Sequence, residues 1–225
     1  MNSDLDELLR NGESLPLELL KAIEKIAGKM APGRAPSFNE AQVVKALEII
    51  DTCGTVGRVR LSNELDLGEG ATRTFLRHAK NEGIIDSSRQ GIRLSEYGTR
   101  LVSDLRSKIS GGVEVPSSPL TVGRFNVAVL VRDAARKVRR GVEQRDAAVR
   151  MGALGATTLV LCGNKLTMPS SERDVFKGIS SVHDMLVSKL NPNENDAIIV
   201  GSGESRKLAE LGAKMAALEL LRTED

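Results

Sequence analysis

The chain has no tryptophan, a single tyrosine (Tyr97) and four phenylalanines in 225 residues. Its cores must therefore be built from aliphatic side chains and methionine. Proteins that read single-stranded nucleic acid by stacking bases on aromatic platforms are disfavoured by the same scarcity. Cysteine is nearly absent too: Cys53 and Cys162 stand far apart, with no Cys or His beside them at metal-ligand spacing. That excludes a zinc module and argues against a disulfide framework, so a reducing compartment is expected. No apolar run approaches the ~18 residues of a membrane span. The acidic opening Met1-Asn-Ser-Asp-Leu-Asp-Glu7 lacks a signal peptide's apolar stretch, and a cytoplasmic protein without membrane contact is expected. Excess charge is missing as well. A formal net charge of +2 rules out a polycation that wraps nucleic acid by bulk charge. Any such contact must come from local placement of Arg and Lys.

What remains is an ordinary globular composition, 40% hydrophobic and 28% charged. Punctuation divides it into an N-terminal helical extension (1–36), a central domain (37–109), a linker (110–120) and a C-terminal domain (121–225). In the extension Leu17, Leu20, Ile23 and Ala27 fall on one helical face, preceded by Leu5, Leu8 and Leu9 and closed by Gly28, Pro32, Gly33 and Pro36. Such a helix needs a partner, either its own domain or a second copy. The linker Ser110-Gly-Gly-Val-Glu-Val-Pro-Ser-Ser-Pro119 has the composition of a tether.

In the central domain Asn39 and Gln42 have the spacing of a capping box, with Phe38 as staple, ahead of a helix ending at Cys53-Gly54. A short extended piece (Val56 to Arg60) is followed by a short helix (Leu61 to Leu67) and a turn at Gly68 and Gly70. A second helix (Ala71 to Glu82) leads into a hairpin turning at Arg89-Gln90-Gly91, and Ser95 caps a last helix. These six elements, in this order, resemble a winged helix-turn-helix. In the second helix Thr72, Leu76, Ala79 and Gly83 read as the core stripe, while Arg73, Arg77 and Lys80, with Thr74 beside them, point away from it. In that architecture this face enters the major groove, where Arg suits guanine and Thr suits a thymine methyl. Arg73, Thr74 and Arg77 are thus expected on base edges and Lys80 on phosphate. Arg58, Arg60, Arg89 and Arg93 are placed to grip the backbone. Against this stand the near balance of eleven basic and ten acidic residues from Asn39 to Lys108, and Glu69 at the start of the reading helix. His78 reads as an exposed neighbour of the basic stripe.

The C-terminal half reads strand, helix, strand, strand, helix, strand, helix. An α+β chain follows, with a ferredoxin-like sandwich after the winged helix; a small three-layer domain is the alternative, since Ala156 to Cys162 and Ala197 to Val200 are apolar enough for burial on both faces. Gly201, Ser202, Gly203 and Ser205 precede a helix whose first N–H groups could cradle an anion, with Arg145 from a basic stretch (Arg132 to Arg150) as a further ligand. The run is neither a Walker loop nor a dinucleotide fingerprint. No cofactor, metal set or catalytic constellation is indicated, so no enzyme is expected, and His183 reads as structural.

Gly141-Val-Glu-Gln-Arg-Asp-Ala-Ala-Val-Arg-Met-Gly-Ala-Leu-Gly-Ala-Thr-Thr-Leu159, together with Gly201-Ser-Gly203, Leu208 to Ala217 and Pro36-Ser-Phe38, resembles an archaeal family that joins a winged helix to a C-terminal domain of unassigned function. The resemblance implies a transcriptional regulator. Its expected partners are double-stranded DNA, a small effector (anionic if the basic stretch receives it) and a second copy of the chain. A metabolic enzyme with an accessory winged helix, and a protein-binding scaffold, are the competing readings.

Overall fold

The computed structural model describes residues 15–28, 36–163, 165–169, 171 and 174–223. Leu5, Leu8, Leu9, Pro32, Gly33 and the side chain of Leu17 lie outside them. The chain is an α+β protein with two compact units, residues 1–105 and 106–225.

In the first unit α1 (Leu15–Ala27) buries Leu19, Leu20, Ile23 and Ile26 against α2 (Glu40–Cys53) and α4 (Glu69–Asn81). The capping box that starts α2 is formed. Asn39 Oδ1 accepts from the Gln42 amide at 3.0 Å, and Gln42 Oε1 accepts from the Asn39 amide at 3.1 Å. Helix α3 (Arg58–Leu65) begins three residues earlier than its apolar pattern suggests, so Arg58 and Arg60 sit on it rather than on an extended approach. Between α3 and α4 the left-handed residue is Asp66 (φ 54°), not glycine; Gly68 caps α4 and Gly70 lies within it. Asp tolerates this conformation because its short polar side chain serves the local backbone. Strands β1 (Ile85–Ser88) and β2 (Gly91–Leu94) form an antiparallel hairpin, and Val56 adds a one-residue bridge to Ile92. Helix α5 (Glu96–Lys108) starts where the Gly98 amide donates to Ser95 Oγ at 2.9 Å.

Tyr97 on α5 is half-buried. Burial, then the carboxylates of Glu18 on α1 and Glu82, push its phenol above the ordinary 10.0, and Arg100 opposes them. The neutral phenol is favoured by folding, so its contribution is complete below the unfolded value and is lost as pH rises through the raised one. With one tyrosine and no tryptophan, ultraviolet absorbance reports tyrosinate from this site alone. Its titration midpoint should lie above 10.0 in the native protein and return to about that value in denaturant. A native midpoint at or below the denatured one would contradict the burial of this phenol.

The second unit is a five-stranded antiparallel sheet of order β3-β4-β7-β5-β6, made by β3 (Ile109–Glu114), β4 (Phe125–Val131), β5 (Gly155–Cys162), β6 (Lys165–Thr167) and β7 (Ala197–Gly203). Side chains alternate along β7. Ile198 and Val200 join the cluster of Val182, Leu186 and Leu190 on α7 (Ser180–Leu190), whereas Gly201 faces α8 (Arg206–Arg222). Helix α6 (Val142–Arg150) packs beside α8. Helices thus cover both faces, which is the three-layer arrangement rather than the two-layer sandwich. Helix α7 begins only at Ser180, because residues 175–178 before it form turns.

The expected linker is a correction. Ser110 to Glu114, the first part of that linker, is strand β3, paired with β4 through a bulge between Gly111 and Val113. Gly111 (φ 116°) and Gly112 (φ 103°) supply the left-handed backbone that a bulge of this kind uses. A Cβ on Gly111 would also stand 2.7 Å from Leu190 Cδ2. The composition of a tether was that of an edge strand.

Candidate nucleic-acid interface

The face of α4 that is buried carries Thr72, Phe75, His78 and Ala79. This is the expected stripe turned by one residue: Leu76 is half-buried and Gly83 exposed. Phe75 replaces Leu76 because Phe38 meets its ring edge-on, with centroids 5.9 Å apart. His78 is accordingly not an exposed neighbour of the basic stripe. It is 4% exposed, stands edge-on to Phe38, and its Nδ1 lies 2.8 Å from the Ile26 carbonyl oxygen. A carbonyl only accepts, so Nδ1 carries the proton, and the histidine ties α1 to α4.

Turning the core by one residue leaves the opposite face intact. Arg73, Arg77 and Lys80 are all exposed. The Thr74 hydroxyl donates to the Gly70 carbonyl at 3.0 Å, which leaves its methyl for contact outward. Arg58 and Arg60 start the adjoining α3, Arg89 stands at the two-residue hairpin turn, and Arg93 lies on β2. Several of these cations already have weak partners. Glu69 Oε1 accepts from Arg73 Nη2 at 3.2 Å and stands 3.8 Å from Arg58 Nη2. Arg60 faces Glu64 at 3.9 Å, and Arg93 faces Asp86, its cross-strand partner, at 3.5 Å. All are solvent-exposed pairs, worth about 0–1 kcal/mol each and readily exchanged for phosphate. Composition hid this arrangement: a balanced count conceals carboxylates that sit beside the arginines rather than on the opposite face.

The second expected site does not assemble. Gly201 and Gly203 are the buried end of β7, and a Cβ on Gly201 would lie 2.3 Å from the Ala209 carbonyl oxygen. Their role is to let α8 approach the sheet. Ser202 is 1% exposed, donates to Asn126 Oδ1 at 2.7 Å and accepts from the Val122 amide at 3.2 Å. Ser205 caps α8, accepting from the Leu208 amide at 3.2 Å. Arg145 lies exposed on α6, paired with its neighbour Asp146. The Gly-Ser-Gly stretch is therefore filled by helix packing and is no anion cradle. From the basic stretch, Arg132 is also structural, donating at 2.7 Å to buried Asp196. His183 stands edge-on to Phe176, with centroids 5.0 Å apart.

Both units have known relatives. Residues 52–100 match the family model "PH0730-like, N-terminal domain", and residues 122–220 match "Domain of unknown function (DUF4443)". The two matches fall in separate units of the chain. The chain is similar to the solved structure "Hypothetical protein PH0730 from Pyrococcus horikoshii OT3", at 25% identity over 80% of this chain and 91% of that one, with a TM-score of 0.64. None of the curated proteins matches. Among the described residues no helix is long and apolar enough to cross a membrane.

Proposed function

We propose that the protein is a DNA-binding transcriptional regulator, whose N-terminal unit is a winged helix-turn-helix and whose C-terminal unit senses a small effector. The observation that carries this reading is the outward basic stripe Arg73, Arg77, Lys80 on α4. That helix follows a short helix and a tight turn, and precedes a hairpin with arginine at its tip. In such a module α4 lies in the major groove, with Arg73, Thr74 and Arg77 on base edges and Lys80 on phosphate, while Arg58, Arg60, Arg89 and Arg93 hold the backbone. One reading helix covers one half-site, so a homodimer on double-stranded DNA is the expected assembly. No catalysis is assigned to the chain.

The test is binding to duplex sites selected from random sequence, titrated with salt. Five phosphate contacts per protomer give a slope of log K against log salt of about −4 to −5 per half-site. A slope near zero would remove the reading and leave a protein-binding scaffold in its place.

Glu69 sharpens the expectation. Its carboxylate holds Arg58 and Arg73 and would lie near the phosphates. Glu69→Gln should tighten DNA binding by about three- to tenfold at low salt, since one such charge contact is worth about 1 kcal/mol. Unchanged affinity would place α4 away from the duplex.

A further inference from the structure

Helix α6 buries Gln144, Ala147 and Ala148 on the side that packs on β5 and α8. Its opposite side carries two valines. Val142 and Val149 are 40% and 49% exposed, and at seven residues apart they stand two turns from each other on one line. A β-branched residue is a poor choice for the open side of a helix, where it loses side-chain freedom and shows apolar surface to water. Past the end of the helix Val122 and Leu154 are exposed as well. A Cβ on Gly155 would stand 3.1 Å from Val122 Cγ2 and one on Gly123 3.2 Å from Leu154 Cδ1, so these two side chains lie side by side. Single exposed apolar residues are ordinary; an aligned pair with further apolar surface beyond it marks a side that is covered by something.

The line of valines separates two opposite charges. Arg145 and Asp146 lie midway between them, one on each side of the line, and both are exposed. They hold each other, Asp146 Oδ1 accepting from Arg145 Nε at 3.1 Å and from Nη2 at 3.0 Å. Arg150, next along the Asp146 side, is drawn back toward Glu219 on α8, 3.9 Å away. What faces outward is an apolar line with a cation on one flank and an anion on the other. Such a face is complementary to itself under one symmetry. A two-fold axis parallel to the helix sets two copies of α6 side by side in the same direction, so that left meets right. Arg145 then faces the partner's Asp146, and each valine meets its own counterpart. A two-fold axis across the helix sets the copies antiparallel, left meets left, and Arg145 faces the partner's Arg145.

We propose that the outward face of α6 is the homodimer interface, paired in parallel with the same face of a second copy, the valines on the two-fold axis and Arg145 and Asp146 exchanged between protomers. The proposal rests on the homodimer reading above and locates its interface. Nine residues of helix bury less than the roughly 800 Å² per partner of a tight complex, so the contact alone is weak, and DNA with two half-sites completes it. The charge pairs add little affinity and set the direction of the pairing.

The experiment is sedimentation equilibrium of the full chain without DNA, over a concentration series at low salt, alongside binding to duplexes with one and with two half-sites. The parent should associate reversibly to a dimer. Asp146→Arg alone should weaken that dimer by about tenfold or more, because the axis counts the change twice and gathers four arginines. Arg145→Asp alone should do the same with carboxylates. The double exchange, Arg145→Asp with Asp146→Arg, puts opposite charges back on the two flanks and should restore the dimer. Val149→Glu places two carboxylates on the axis and should leave a monomer. All three positions are exposed, so the Tm of each variant should stay that of the parent. The proposal is overturned if the parent is a monomer at every concentration, if the single exchanges associate as the parent does, or if the double exchange is as weak as the single ones. The DNA arm separates the interface from the reading it rests on. Val149→Glu should keep the affinity for one half-site and lose the gain from the second. A dimer that obeys the exchanges while no duplex is bound keeps the interface and removes the regulator. DNA binding by a monomer keeps the regulator and removes the interface.

Discussion

Replacing Arg73 and Arg77 together by alanine should abolish sequence preference while leaving weak, salt-sensitive DNA binding. Each bidentate arginine–guanine contact is worth about 1–3 kcal/mol of discrimination, so the pair accounts for roughly two to four orders of magnitude in specific affinity per half-site. Backbone contacts through Arg58, Arg60, Lys80, Arg89 and Arg93 remain, and the residual binding should equal that of the parent for random duplex. Both side chains are exposed, so the fold should be untouched and the thermal transition unchanged. Arg89→Ala, at the hairpin tip, should behave oppositely: a uniform loss across sequences and a salt slope shallower by about one. Fluorescence anisotropy on selected and scrambled duplexes measures both. If the double variant still prefers the selected site as the parent does, α4 is not the reading helix.

The second large effect is on stability, in the other unit. Gly201→Ala should lower stability by about 2–4 kcal/mol, a fall in Tm of roughly 10 °C by far-ultraviolet circular dichroism. The added methyl would stand 2.3 Å from the Ala209 carbonyl oxygen and 2.6 Å from the Ala213 amide nitrogen. Both are backbone atoms of α8, so no rotamer change relieves the clash and the helix must lift from the sheet. Gly203 repeats the arrangement, its added carbon meeting the Ala209 amide nitrogen at 2.7 Å, and Gly212 on α8 itself lets Ala153 approach, its added carbon meeting Ala153 Cβ at 2.5 Å. The same change at Gly70 has the opposite sign. Nothing lies within 4 Å of a Cβ there, and the residue is helical, so Gly70→Ala should add about 0.5–1 kcal/mol. If Gly201→Ala melts with the parent, α8 does not pack on β7 through this glycine.

Much of the first unit was legible because its signals are local. The Asn39–Gln42 capping box, the Gly54 stop and the Ser95 cap each act within four residues, and the outward basic stripe follows from helical period alone. Errors began where an element's partner lay far along the chain. His78 looked polar and exposed until Ile26, 52 residues away, supplied its acceptor. Gly201-Ser-Gly203 looked like an anion cradle because a glycine-rich turn before a helix reads the same whether its space is open or filled. The bare Gln144 Oε1 has no sequence signal: whether a buried amide oxygen meets a donor is a property of its surroundings, and one letter in a charged helix does not report it.

Alone, the sequence settled most of the elements and their order, because capping, turn chemistry and hydrophobic period are written in neighbouring residues. It also placed the arginines and lysine that face away from the first core. Only the tertiary structure decided that the apparent tether is the edge strand β3, that the strands run β3-β4-β7-β5-β6, that both faces of the sheet are covered, and that Glu69 bridges Arg58 and Arg73. Those facts depend on which distant surfaces meet, and burial and close approach between residues remote in sequence exist only once the chain has folded.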